Sequence, residues 1–200
     1  RGKNLVEKLK SRKVEVEQVT DKLLVDVCET ETTQGIIAVL ELTNPLIPNH
    51  LTFILIPDQI RDPGNLGTLL RTAAAAGVQA VFIPPETADA FSPKVVRAGI
   101  GAHFRIPVAS LGWEEIRARL AGKTVFLADA GGQTPCWGAD FRQHLALIVG
   151  GEADGASESA KKLADGIVNI PMPGKIESLN AGVAGAILMF EIVRQRSEAL

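Results

Sequence analysis

Short, continuous apolar runs alternate with stretches of helical pattern from residue 51 onward. Strands that are apolar throughout need cover on both faces, so this alternation is typical of a parallel sheet between helices. We therefore predict an α/β fold, a parallel sheet with helices on both faces. The predicted strands are 51–56, 80–83, 105–109, 124–129, 145–150 and 166–171, and the predicted helices are 65–76, 92–99, 113–121, 156–164 and 178–197.

Ligands of such sheets bind beyond the carboxyl ends of the strands. The loops after residues 56, 129, 150 and 171 are therefore where we expect chemistry, and the notable residues of the sequence cluster there.

The first part of the chain has a different pattern. Residues 3–31 indicate a helical or mixed segment, 35–42 (GIIAVLEL) a short apolar strand, and 43–50 a linker with two prolines and two asparagines. This places a domain boundary between 1–44 and 45–200. Residues 1–13 carry six basic residues and one acidic residue, which suits either a polyanion or a solvated helix end. The chain begins with Arg1 and not with methionine, so a further upstream segment is expected.

Composition narrows the function classes. The net charge of −2 gives no overall nucleic-acid signature, and no run reaches the roughly 18 apolar residues of a membrane span. The two cysteines, Cys28 and Cys136, stand far apart, which favours a reducing, cytoplasmic compartment. His50, His103 and His144 have no ligand-like neighbours, so no metal is expected.

The first notable motif is DPGNLGTLLRTAAAAG, at 62–77. Asp62 or Asn65 can cap the helix that follows. Arg71 lies beside the apolar stripe of this helix, as either an ordinary surface arginine or one that faces a phosphate or hydroxyl group. The buried stripe is predicted to contain Leu66, Leu69, Leu70 and Ala73.

Two further motifs follow later strands. In LIVGGEADG (147–155), an apolar strand ends in Gly150, Gly151 and Glu152, which makes either a plain turn or a close backbone approach to a ligand. In VNIPMPGKIESLNAGVAGAILMFEI (168–192), two prolines bracket Met172, and Ser178 or Asn180 can cap the last helix. The spacing in LIVGGEADG is not the GxGxxG of a dinucleotide-binding loop, and GIGA (99–102) does not match it either.

In this order and at these distances, the three motifs resemble those of the SpoU/TrmH-type RNA ribose 2′-O-methyltransferases of the SPOUT superfamily, over residues 51–195. The resemblance implies a C-terminal trefoil knot, which is rare among folds. It also implies S-adenosyl-L-methionine as cofactor, an RNA substrate and a homodimer. Residues 34–42, with the stretch before them, look like the remnant of a small N-terminal α/β RNA-binding domain, which favours rRNA over tRNA. One departure is RAGIGA (97–102), where the family pattern suggests a serine nearer Gly99.

The resemblance also implies roles for individual residues. Cofactor contacts are expected at Gly150, Gly151, Ile170, Met172 and Leu179, and the catalytic polar set is Asn65, Arg71, Glu152, Ser178 and Asn180. Arg71 is the candidate that acts on the ribose 2′-OH. Free arginine is a poor base because its pKa exceeds about 12, so stabilisation of the developing oxyanion is preferred over a role as base. Asn65 would support Arg71, Glu152 would orient its loop or Asn180, and Ser178 and Asn180 would fix the knot loop and the substrate.

Three alternatives stay open. The enzyme could methylate a base and not a ribose, although the Asn65–Arg71 pair together with SLN (178–180) favours the ribose. The substrate could be tRNA. The chain could also be a non-catalytic RNA-binding homologue, against which the presence of all five polar residues argues.

Overall fold

A computed structural model describes residues 2–28, 33–42, 45–151, 155–174 and 176–197. The chain divides into two compact units, with the division between residues 43 and 44.

The described residues of the first unit form two helices, α1 (Gly2–Ser11) and α2 (Asp21–Cys28). The backbone N–H of Leu23 donates to Thr20 Oγ1, which caps the start of α2. The predicted strand at 35–42 is wrong, because this segment forms no regular element and Val39 is 90% exposed. A strand needs a neighbouring strand to take its backbone hydrogen bonds, and the described part of this unit offers none.

The second unit is built on a seven-stranded sheet, and every pairing between its strands is parallel. The order across the sheet is β3-β2-β1-β6-β4-β7-β5. All six predicted strands are present, with ends shifted by a few residues. The sequence pattern did not indicate β5, since a two-residue strand has no periodicity to read. The strands are β1 (Phe53–Asp58), β2 (Ala80–Ile83), β3 (Val108–Ser110), β4 (Thr124–Ala128), β5 (Thr134–Pro135), β6 (Leu145–Gly150) and β7 (Gly166–Asn169).

Five α-helices lie in the described part of this unit, and each corresponds to a predicted one. They are α3 (Pro63–Ala75), α4 (Pro93–Gly99), α5 (Trp113–Arg119), α6 (Glu158–Leu163) and α7 (Ala181–Ser197). Asp62 caps α3, because its side chain accepts a hydrogen bond from the backbone N–H of Asn65 at 2.8 Å. Gly77, with a φ of +74°, follows the end of α3 in the left-handed conformation that favours glycine.

Apolar layers cover both faces of the sheet, which confirms the predicted architecture. Along β1, Leu55 packs into a cluster with residues of α3, α4 and α7, whereas Ile54 packs into a second cluster with residues of α5 and α6. Successive strand side chains point to opposite faces, so the two clusters lie on opposite sides of the sheet.

Glycines let α3 pack closely between α4 and α7. A Cβ atom at Gly67 would lie 2.4 Å from the Cβ of Ala98 in α4, and one at Gly185 of α7 would lie 2.3 Å from Leu69 Cδ2. A Cβ at either position would force its neighbour to shift, so both helices approach α3 closely. The part of α3 between Asn65 and Arg71 is therefore held from two sides.

The far end of α7 is tied to the chain just before the amino ends of the central strands β1 and β6. The guanidinium of Arg196 donates to the backbone oxygens of Thr52, Phe141 and Gln143. This fixes the axis of α7 and with it the position of the helix start, where the candidate site lies.

Candidate active site

A cavity of about 210 Å³ lies at the carboxyl ends of β4, β6 and β7, against the first turns of α7. Three of the loops in which chemistry was expected, those after residues 129, 150 and 171, meet there. The lining residues are Ala128, Asp129, Ala130, Val149, Gly150, Gly151, Gly155, Ala156, Val168, Ile170, Met172, Ser178, Leu179, Ala181, Ala184 and Leu188.

The cavity wall is made mostly of backbone and apolar side chains. Asp129 is the one ionisable residue among the described lining residues, and its Oδ1 accepts a hydrogen bond from the backbone N–H of Gly131 at 2.7 Å. A wall of this kind holds a ligand through shape, backbone hydrogen bonds and a single negative charge.

Two glycines form the turn after β6 because there is no room for a side chain. A Cβ at Gly150 would lie 2.9 Å from the backbone nitrogen of Ala156, and one at Gly151 would lie 2.4 Å from the backbone oxygen of Gln59. The backbone N–H of Gly151 donates to the oxygen of Gly155 at 3.1 Å. Glu152 lies outside the described residues.

A buried carboxylate lies on the strand next to Gly150. Asp58 ends β1, pairs in register with Gly150 and has no exposed surface. Its Oδ2 accepts a hydrogen bond from the backbone N–H of Ser157 at 2.6 Å, at the start of α6. Its Oδ1 has no hydrogen-bond partner among the described residues. Burial raises the pKa of the Asp58 carboxyl above its ordinary value, against the opposing effect of the Ser157 hydrogen bonds.

Asn65 and Asn180 meet next to the cavity, although they are far apart in sequence. Asn180 Nδ2 donates to Asn65 Oδ1 at 2.9 Å, and Asn180 Oδ1 accepts from the backbone N–H of Val183 at 3.2 Å. Asn180 therefore caps α7 and joins its start to the start of α3 with the same side chain. The capping interpretation and the functional interpretation of this residue are compatible.

Arg71 is exposed on α3, between one and two turns beyond Asn65. No described residue takes a hydrogen bond or ion pair from its guanidinium, so the group is presented to solvent. We call Asn65, Arg71 and Asn180 the polar face. Ser178 is exposed, lines the cavity and stands two residues before Asn180.

The structure thus groups the predicted site residues in two places. The five predicted cofactor contacts, Gly150, Gly151, Ile170, Met172 and Leu179, all line the cavity. Asn65 and Asn180 of the polar face meet beside it, Arg71 lies further along α3, and Ser178 lines the cavity itself. The roles assigned to these residues stay predictions.

Sequence reasoning missed two carboxylates. Asp129 directly follows the apolar run that forms β4, and Asp58 ends the apolar run that forms β1. An acidic residue at the carboxyl end of a buried strand was the available signal for both.

The described ranges contain no group of three or more His, Cys, Asp or Glu side chains placed to hold a metal ion. Within the same ranges, none of the helices combines the length and the apolar character that a bilayer crossing requires. Both cysteines are free thiols.

A parallel α/β unit with a ligand cavity at the carboxyl ends of its strands belongs to the class of α/β domains that bind small molecules at that edge. The profile of the SpoU rRNA Methylase family matches residues 52–190. This match covers well over half of the chain, and the chain therefore belongs to the SpoU rRNA Methylase family.

Individual relatives agree with the family. A 23S rRNA (guanosine-2′-O-)-methyltransferase RlmB of Xanthomonas axonopodis pv. citri is 42% identical over 146 residues, which is 72% of this chain and 59% of the relative. A protein of the same description from Shewanella oneidensis is 31% identical over 204 residues, 96% of this chain and 83% of the relative. The chain spans about three fifths of the length of several of the curated relatives it matches.

The fold also matches a solved structure, an AdoMet-bound rRNA methyltransferase from Sinorhizobium meliloti. The TM-score is 0.85 at 30% sequence identity, and the match covers 96% of this chain and 76% of the other.

Proposed function

We propose that this protein is an S-adenosyl-L-methionine-dependent RNA methyltransferase that transfers a methyl group to a ribose 2′-OH in rRNA. The observation that carries the proposal is the hydrogen bond between Asn65 and Asn180. This bond joins the first motif to the third, beside the cavity that residues of the second and third motifs line. All three motifs therefore contribute to one site.

The cavity fits the proposed cofactor chemically. Backbone groups near Gly150, Ile170 and Met172 suit an adenine and a ribose, and the apolar wall suits a thioether chain. Asp129 places one negative charge at the wall, which complements a cationic ligand. When bound, S-adenosyl-L-methionine supplies an activated methyl group on a sulfonium centre.

The polar face supplies what the ribose oxygen needs. A 2′-OH is a very weak acid, so negative charge that develops on its oxygen must be stabilised. The guanidinium of Arg71 offers several N–H donors to the oxygen or to an adjacent phosphate. Its exposure leaves the guanidinium accessible to RNA.

Asn65 and Asn180 would hold the geometry around Arg71. Each is fixed at a helix start, Asn65 through the Asp62 cap and Asn180 as the cap of α7. Alignment of this kind raises the rate of the chemical step, because a methyl transfer requires the oxygen to be held in line with the methyl group. Ser178 would position the loop and the substrate, and Glu152 would orient its loop or Asn180.

We further propose the finer features that the family resemblance implies. These are a C-terminal trefoil knot, an RNA-binding role for the first unit, a cytoplasmic location and a homodimer. An apolar stripe on α7 supports the homodimer: Val183 and Phe190, seven residues apart, are 47% and 50% exposed, and half-buried Ile187 lies between them. Names of relatives that specify 23S rRNA guanosine 2′-O-methylation support rRNA as the substrate.

Two measurements test the proposed function. Calorimetry with S-adenosyl-L-methionine should show binding, and an unmodified 23S rRNA transcript incubated with the methyl-labelled cofactor should yield a labelled 2′-O-methylnucleoside after complete digestion. Absence of cofactor binding would overturn the enzyme assignment, label on a base would overturn the ribose assignment, and transfer only to tRNA would overturn the rRNA assignment. Arg117→Ala, which removes an exposed arginine on the face of the sheet opposite α3, is the matched control for removal of Arg71 and should keep full activity.

A further inference from the structure

The segment 93–110, which contains α4 and β3, is basic although the chain as a whole is slightly acidic. It carries three cationic residues, Lys94, Arg97 and Arg105, and no acidic residue. All three are exposed, and none of the ion pairs between described residues involves them. Their charge is therefore available to an anionic partner.

Apolar side chains stand exposed among these cations. Phe104 is 77% exposed, Ile100 65% and Val96 38%. Phe104 is more exposed than the other two exposed aromatic residues of the described ranges, Trp137 at 53% and Phe190 at 50%. An exposed phenylalanine costs free energy in water unless something covers it.

The loop holds Phe104 and Ile100 outward by specific contacts. Ile100 has a φ of +44°, an unfavourable conformation for a β-branched residue, and Gly101 follows at +79°. His103 Nε2 lies 2.7 Å from the oxygen of Ala90, so this nitrogen carries the proton and donates. The His103 ring packs so closely on Gly99 that a Cβ there would lie 3.2 Å from its Cε1. The neighbouring Phe104 is thereby fixed on the outside of the turn.

This loop lies beside the part of α3 that carries Arg71. Gly67 of α3 is packed against Ala98, and the Gly67 oxygen is also near Gly99, one residue before Ile100. Arg71 lies one helical turn after Gly67 on the same side of α3. The exposed loop and Arg71 are therefore neighbours on one surface.

We propose that Lys94, Arg97, Ile100, Phe104 and Arg105, which we call the basic aromatic patch, bind the single-stranded RNA that flanks the target nucleotide. Phe104 stacks against one nucleobase, with Ile100 as an apolar edge, and the arginines contact the phosphates on either side. This inference rests on the proposed function and adds the place where that substrate is held.

RNA fits this patch better than a protein partner does. A ring exposed between cations, with no acidic residue in the segment, matches the alternation of bases and phosphates in a single strand. A protein partner of mixed charge would pair these three cations only in part.

The main test compares Phe104→Ala with Phe104→Trp in the full chain. The probe is a short fluorescent single-stranded RNA, measured by anisotropy, together with kcat and KM on the 23S rRNA transcript. Loss of one stacked base should weaken RNA binding and raise KM by on the order of 10- to 100-fold, while tryptophan restores both. Affinity for S-adenosyl-L-methionine should stay unchanged in each variant, which shows that they are folded. Trp137→Ala is the matched control and should bind RNA as the wild type does.

The charges are tested separately through salt dependence. Arg97→Ala and Arg105→Ala should each reduce the slope of log affinity against log salt by about 0.7, the value for one phosphate contact on a single strand. Arg117→Ala should leave the slope unchanged. With 4-thiouridine in the RNA, ultraviolet cross-linking should label the tryptic peptide 98–105 in the wild type.

The outcomes distinguish this inference from the one on which it rests. If the wild type neither binds the cofactor nor transfers a methyl group, the proposed function fails. If the wild type is active but Phe104→Ala binds RNA normally, the patch proposal alone fails. If Phe104→Ala keeps RNA affinity but changes the sedimentation of the protein, the patch is an interface between copies of the chain and the proposal is overturned.

Discussion

The cavity meets the polar face through the Asn65–Asn180 pair at the start of α7, yet the two regions are made of different chemical groups. The cavity is lined by strand ends, glycines and apolar side chains, whereas the polar face consists of three polar side chains on α3 and before α7. Removing a side chain can abolish the contribution of the polar face but hardly affects a cavity wall made of backbone. Adding side-chain bulk at a glycine disturbs the cavity wall and leaves the polar side chains in place. Ligand binding and chemistry should therefore be separable by mutation.

The largest effect is expected at Arg71. Arg71→Ala should lower kcat by on the order of 100- to 1,000-fold, the usual loss when a group that stabilises an oxyanion is removed. The dissociation constant of S-adenosyl-L-methionine should stay unchanged, because Arg71 does not line the cavity. Arg117→Ala is the control for loss of an exposed arginine. Simultaneous loss of cofactor binding and thermal stability would show that Arg71 is structural.

The opposite separation is expected at Gly150. In Gly150→Ala the added Cβ meets backbone atoms of Gly155 and Ala156, which can move only if the turn moves. Overpacking of this kind costs about 1–3 kcal/mol, so cofactor affinity should fall roughly tenfold to a hundredfold by calorimetry. At saturating cofactor, kcat should largely recover.

Gly138→Ala is the matched control for this change, because a Cβ there meets nothing within 4 Å. Equal cofactor affinity in the two variants would mean that the turn after β6 does not shape the binding site.

A smaller effect is expected where the two regions meet. Asn180→Asp keeps an acceptor for the N–H of Val183 but cannot donate to Asn65. One lost hydrogen bond of about 0.5–1.5 kcal/mol should lower kcat/KM up to about tenfold, at nearly unchanged melting temperature. Asn180→Ala should also lose the cap, at a further cost of about 1 kcal/mol in unfolding free energy. If the aspartate variant matches the wild type in activity, the bond between the asparagines is dispensable for the chemistry.

The smallest effect concerns pH and stability. The pKa of Asp58 is raised in the folded protein, so over part of the acidic range the folded state holds a proton that the unfolded state has lost. Asp58 therefore favours folding most at low pH, and this contribution falls as pH rises through its folded-state pKa. The amide in Asp58→Asn does not titrate, so the melting temperature of this variant relative to wild type should rise from acidic to neutral pH. Thermal melts across that range measure it, and a constant difference would contradict the assignment.

Sequence patterns predicted the elements well where one face or both faces are buried. The apolar runs at 80–83 and 145–150 coincide with β2 and β6 because burial on both sides requires continuous apolar residues. The run at 35–42 looked the same but has no partner strand within the described part of its unit. An apolar run indicates that burial is favourable, but it does not indicate that a neighbouring strand is present.

The candidate site was predictable as a list of residues and not as a geometry. The motifs supplied Asn65, Asn180 and the glycines, but the bond between the two asparagines spans 115 positions and depends on how α3 and α7 pack. Asp58 was missed for the same reason, since its partner Ser157 belongs to an element formed 99 positions later. Local patterns carry no information on such pairs.

The order of strands has a consequence for how the chain is made. β1 and β6 pair at the centre of the sheet, but β1 ends at Asp58 and β6 begins at Leu145, so most of the domain is synthesised before they can meet. Until then a nascent chain carries β1 with one unpaired edge, and closing so long a loop is slow. The last register position of this pair joins Asp58 to Gly150, at the floor of the cavity. On the ribosome, the binding site is therefore among the last parts of the domain to be completed.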